Sequence, residues 1–267
     1  MEDNQEKAIQ IKDNRLFRPM VFVEKNGKNG NRRMTIQKST TLTLDNGHIA
    51  FASPNPISLF MNICVKEHNK ARIIFKDLVI PNIKPGKTYV VTDNDLPRLF
   101  DYFEHIQTSI ITMYSAIEAF ANIAIPNDFE IEKINSKGVK EIWTKETIER
   151  WLATSEKIGD IVPKILKVDS PKASTFWEGF KQLELVRNEI IHQKQSRKDP
   201  EDIDSKFLAI LLSEKIYDYI KSGLDLITYF CEKDISHSLF PLLFESIIKP
   251  IEIEDWDNFF TWVPFKN

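Results

Sequence analysis

The stretch DNDLPRLFDYFEHIQTSIITMYSAIEAFANIAIP, residues 93–126, decides the fold class. Leu99, Phe103, Ile106, Ile110, Met113, Ile117, Phe120 and Ala124 recur at steps of three and four. That is the apolar stripe of one long amphipathic helix. Asp93, Asn94 and Asp95 offer N-cap oxygens, Pro97 suits the first turn, and Pro126 ends the run.

Downstream the helical period persists. Residues 127–143 read as a polar connection around Gly138, followed by helical patterns over 145–153, 155–166 (bent or split at Pro163), 172–195 and 204–232. Short connections predict antiparallel neighbours in a bundle spanning 93–235. Residues 236–267 form an aromatic extension with Phe240, Phe244, Trp256, Phe259, Phe260 and Trp262, expected on the bundle or at an interface.

Upstream of Thr92 the period is two. Residues 18–25 lead into two Asn-Gly pairs, Asn26-Gly27 and Asn29-Gly30, and a return strand over 33–44. Asn and Gly tolerate positive φ, so this reads as a hairpin. A second turn, Asp45-Asn46-Gly47, leads into 48–51, and the runs 58–65, 72–80 and 88–91 read as further strands. The expected fold is α+β: a β-rich domain over 1–92, sandwich- or barrel-like and serving recognition or regulation, then an antiparallel helical bundle.

Composition narrows the function classes. The 267 residues carry 36 Lys+Arg and 39 Asp+Glu, a net charge of −3. That excludes a uniformly basic nucleic-acid coat and leaves room for local basic patches. Apolar runs are too short for a membrane-spanning helix. The polar start lacks a secretory core, so a cytoplasmic protein is expected. Cys64 and Cys231, far apart in sequence, read as free buried thiols. No phosphate-loop, dinucleotide, nucleophile-elbow or zinc-protease motif occurs, and the five histidines are scattered, so neither cofactor nor metal is expected.

One motif carries chemistry: Arg187-Asn188-Glu189-Ile190-Ile191-His192, an R-N-x-x-x-H late in a predicted helix. At 100° per residue Asn188 and His192 share a face. Arg187 falls instead in line with Phe176, Phe180, Leu183 and Ile190. A guanidinium in an apolar stripe needs an acceptor or a cleft. The plain alternative is an arginine paired with a bundle carboxylate beside a surface histidine.

With the earlier helix segment Ser115-Ala116-Ile117-Glu118-Ala119-Phe120-Ala121-Asn122, the motif resembles the HEPN superfamily over roughly residues 95–233. The resemblance implies a helical bundle that dimerises and acts as a metal-independent endoribonuclease of toxin–antitoxin or antiviral-defence systems, with a possible antitoxin or defence-system partner. It implies Arg187 and His192 as catalytic residues, Asn188 as the polar residue of the motif, and Glu118 as an acidic residue on an earlier helix. Other members have lost catalysis. The alternative is therefore an inactive HEPN-like module that binds nucleic acid, nucleotide or a partner protein.

The residue types suit RNA cleavage. RNA carries its own nucleophile, the 2′-OH. Histidine moves protons near neutral pH, and arginine forks onto two phosphate oxygens. A two-fold axis would bring a base and an acid together from two chains. Lys194, Arg197 and Lys198 beyond the motif, and Lys28, Arg32 and Arg33 in the N-terminal basic stretch, are candidate RNA-binding residues. The plain readings are cations at a helix end and a solvated hairpin tip.

Overall fold

The computed structural model describes residues 13–27, 30–134, 138–192, 200–233, 239–242, 248 and 250–259. The chain divides into two compact units: 1–58 together with 235–267, and 59–234.

The first unit is the smaller. β1 (Met20–Gly27) pairs antiparallel with β2 (Gly30–Ile36), with Gly27 opposite Gly30, as the Asn-Gly pairs predict. The predicted return strand is broken at Gln37 and Lys38. Its second half, β3 (Ser39–Leu44), pairs with β4 (Gly47–Ala52) as a separate hairpin. Gly47, at φ 151°, sits at its turn. Val21, Leu242 and Ile248 form a small core with Val23 packed against it. The C-terminal extension contributes β7 (Ile251–Glu252), which runs parallel to β1 and gives the sheet order β2-β1-β7. Phe244, Phe260 and Trp262 lie outside the described residues.

The strands expected at 58–65 and 72–80 are instead one helix, α1 (Pro56–Ile74), continued by a π-helical turn at Phe75–Val79. Ile57, Met61, Cys64, Ala71, Phe75 and Leu78 are its buried apolar residues, spaced by threes, fours and sevens. A short apolar run fits a buried strand and a buried helix equally well, and here packing chose the helix. Residues 88–91 form no regular element. The N-terminal sandwich or barrel is therefore replaced by one three-stranded sheet and one hairpin.

The second unit is built around α2 (Leu96–Ile123), the predicted long helix. Ile106, Ile110, Met113, Ile117 and Phe120 of the expected stripe are buried, joined by Tyr102 and Tyr114. After α2 the supposed polar connection is a β-hairpin, β5 (Glu130–Ile134) with β6 (Lys140–Thr144). Ile131 and Trp143 lie on its inner face against Ile125, Ile148, Leu152 and Ile161. Then come α3 (Lys145–Trp151), α4 (Thr154–Glu156), a π-helical turn (Lys157–Ile161) and α5 (Val162–Leu166). The turn ends two residues before Pro163, which supplies no amide donor, in the segment where a bend or split is expected.

α6 (Trp177–His192), α7 (Pro200–Leu211) and α8 (Lys215–Lys233) complete the unit. The single helix expected over 204–232 is broken at 212–214, where Ser213 Oγ accepts the Lys215 amide. α1 and α2 are antiparallel, with Cys64 beside Ser109 and Glu67 beside His105. α2 and α8 run in the same sense, with Tyr102 beside Tyr217 and Phe120 stacked on Phe230. The uniformly antiparallel expectation fails here because the long hairpin-containing connection frees later helices from neighbour-to-neighbour reversal.

Helices also pack closely at Gly223 of α8. A Cβ there would meet Met113 Cγ at 2.7 Å, Leu183 Cδ2 at 2.9 Å and Ile117 Cδ1 at 3.2 Å. Alanine gains about 1 kcal/mol of helix propensity over glycine but overpacks a three-helix contact at a cost of about 1–3 kcal/mol. Gly223→Ala is expected to be net destabilising by about 1 kcal/mol, read as a lowered urea midpoint at unchanged m-value. Both cysteines are buried and outside any disulfide, as expected, and burial pushes the Cys64 thiol up to about 11.

Candidate active site

Tyr114 and Glu118 lie one turn apart on α2, and Glu184, Arg187 and Asn188 lie on α6. These two helices assemble the motif. Arg187 is about three-quarters buried. Its Nη1 donates to Asn188 Oδ1 at 3.0 Å, and its Nη2 stands 3.9 Å from Glu118 Oε2. Its guanidinium carbon lies 4.7 Å from the centroid of the Tyr114 ring. The apolar-stripe position of Arg187 is thus resolved by an aromatic face and polar partners, which a planar cation with five donors accepts readily.

Asn188 spends its carbonyl on Arg187, so it orients the arginine. Glu118 is 44 % exposed, a solvent-facing partner and not a sealed one. His192 occupies the last position of α6 and is exposed. The sequence motif therefore separates into a held cation and an accessible imidazole five residues further along the helix.

Beneath Arg187 lies a polar network that the sequence reading missed. Tyr114 Oη donates to Glu184 Oε1 at 2.9 Å. Lys181 Nζ donates to the other Glu184 oxygen and, at 3.1 Å, to Ser155 Oγ. Lys157, which opens the π-helical turn, is 1 % exposed. Its ammonium donates to Asn122 Oδ1 at 2.9 Å and to the Glu149 carbonyl at 2.7 Å. Burial lowers its pKa, opposed by the charges of Glu118 and Glu149. Glu118 thus feels two cations, Arg187 and Lys157. The spacing that puts Tyr114 one turn before Glu118 on the same face is a signal that could have found it; Lys157 carried no sequence signal.

A second titratable pair joins α1 to α2, where His105 Nδ1 lies 2.6 Å from Glu67 Oε2. Lys70, and then His105, hold the Glu67 carboxyl below its ordinary value. Among the described residues no group of three or more His, Cys, Asp or Glu is arranged to hold a metal ion. No helix among them is long and apolar enough to cross a membrane.

Of the candidate RNA-binding residues, Arg32 and Arg33 belong to the smaller unit and the motif to the larger. Lys28, Lys194, Arg197 and Lys198 lie outside the described residues. Arg33 is exposed on β2, opposite Val23. Arg32 bonds Glu24 at 2.7 Å and Asp257 at 2.8 Å, with its guanidinium carbon 5.6 Å from the Trp256 ring centroid. Glu24, 4 % exposed, also accepts the Trp256 amide at 3.1 Å. Arg32 ties the C-terminal segment to the first sheet. Arg32→Ala is accordingly expected to speed amide exchange at Ile253 and Trp256 by about tenfold, as expected for a locally loosened segment.

The profile of the YopA C-terminal domain matches residues 102–237, from the first turns of α2 past the end of α8. Comparison with curated proteins and with solved structures returned no match. The matched stretch contains Tyr114, Glu118, Lys157, Glu184, Arg187, Asn188 and His192, all the residues of the site just described. Since it takes in just over half of the 267 residues, the chain belongs to the YopA C-terminal domain family.

Proposed function

We propose that this chain is a HEPN-type endoribonuclease that cleaves RNA by attack of the 2′-OH on the adjacent phosphate, without a metal. One observation carries the reading. The R-N-x-x-x-H motif holds a largely buried arginine on Tyr114, Asn188 and Glu118 while leaving the His192 imidazole exposed. An arginine that served packing alone would not need an accessible histidine on the same helix.

In the proposed reaction a His192 imidazole takes the 2′-OH proton as O2′ bonds to phosphorus. Arg187 stabilises the charge on the non-bridging oxygens. The 5′-oxygen leaves with a proton from a second imidazole, supplied by another copy of the chain across a two-fold axis. The products are a 2′,3′-cyclic phosphate and a 5′-OH. Asn188 fixes Arg187, and Glu118 balances its charge between substrates.

The proposed setting is a cytoplasmic homodimer acting in defence or as the toxin of a toxin–antitoxin pair, with the smaller unit tuning recognition. Incubating the full chain with total RNA in EDTA tests the reading. Fragments ending in cyclic phosphate, made by a species of dimer mass in light scattering, are expected. Intact RNA would favour the inactive binding module, and undiminished cleavage by a strict monomer would remove the two-chain mechanism.

A further inference from the structure

The Tyr114 side chain is 5 % exposed, and burial pushes its phenol well above the ordinary tyrosine range. It is therefore a neutral hydrogen donor at any working pH, and its one donor goes to Glu184. Glu184 is itself 9 % exposed and held from the other side by Lys181. A core that needed only volume at position 114 would use phenylalanine; here a buried carboxylate is brought to the hydroxyl instead. A phenol donating to a carboxylate gains electron density in its ring, and an electron-richer ring binds a cation more strongly on its face. The cation on that face is Arg187.

We propose that Tyr114 is the positioning residue of this site: its ring, polarised through the hydroxyl by Glu184, sets where Arg187 presents its guanidinium to an RNA phosphate. The kinetic part of this inference rests on the ribonuclease reading. Its structural part does not. Arg187 has two polar partners, Asn188 and Glu118, and both are half-buried side chains with several rotatable bonds. The ring is the rigid element that fixes the plane of the cation.

The test uses the full chain labelled with ¹⁵N-arginine, the Arg187 Nε–H resonance being assigned with Arg187→Lys. In the wild type the ring current shifts that proton from the ordinary arginine position. Tyr114→Phe is expected to keep the shift. It should lower kcat by about tenfold at unchanged KM, the size of one lost charge-assisted hydrogen bond. Tyr114→Leu is expected to lose the shift and to lower kcat by about 100-fold, the scale of misplacing a catalytic group by about 1 Å. Binding of 2′-deoxy-substituted RNA should stay within about twofold throughout, since the phosphate contacts that supply affinity remain. An unmoved Arg187 resonance in Tyr114→Leu, or a kcat within twofold of wild type, overturns the proposal. Should Tyr114→Leu not fold, the isosteric Glu184→Gln reads the same bond as Tyr114→Phe: the Arg187 resonance keeps its shift and kcat falls by more than twofold, or the proposal is wrong. Where the wild type itself cleaves no RNA, the ribonuclease reading fails, while the resonance alone still upholds or overturns the platform.

Discussion

His192→Ala is expected to lower the proposed RNA cleavage by about 100-fold or more and to leave the fold intact. The imidazole is exposed at the last position of α6, so its truncation opens no core volume and costs at most about 1 kcal/mol. A general acid or base contributes about 10²–10⁴-fold, and nothing near the helix end replaces it within the motif. Arg187→Ala also abolishes cleavage but with a different signature. It uncovers the Tyr114 face and leaves Asn188 and Glu118 without their cation, so a small drop in melting temperature accompanies the lost activity. Cleavage by His192→Ala at the wild-type rate, or its failure to fold, refutes the assignment of this motif as catalytic.

Phe120→Ala gives the opposite signature. Phe120 is 0 % exposed and stacks on Phe230 with ring centroids 5.6 Å apart, joining α2 to α8. Removing a buried phenyl ring costs about 3–5 kcal/mol, a large part of the 5–15 kcal/mol that holds a typical domain together. The variant is expected to melt far below the wild type and to lose cleavage through unfolding. Its residual activity, corrected for the folded fraction in denaturant titrations, should match the wild type. A Phe120→Ala chain that stays folded at the wild-type midpoint would mean that the α2–α8 seam is not the core of the larger unit. Together the two variants separate chemistry from architecture on helices that meet at the same site.

The long helix over Leu96–Ile123, the motif helix and the first hairpin were legible from residue spacing alone. Each repeats its own period for long enough, or carries a turn residue specific enough, to exclude other readings. The need of Arg187 for an acceptor was legible too, since it stands on an apolar line, but its carboxylate partner Glu118 is half exposed, not buried. The segment Ser58–Val65 was not legible: eight residues of near-continuous hydrophobicity suit a covered strand or a covered helix, and only the neighbours that α1 meets settle which. The same holds for Arg32, whose bond to a carboxylate 225 positions away no local spacing announces. Local sequence sets which backbone conformations and faces are affordable. Which faces meet, and so whether Tyr114 lies under Arg187 or Lys157 is buried beside Asn122, depends on contacts between residues distant in the chain. Those contacts exist only once the helices have packed, because burial and hydrogen bonding are properties of the assembled neighbours and not of any one segment.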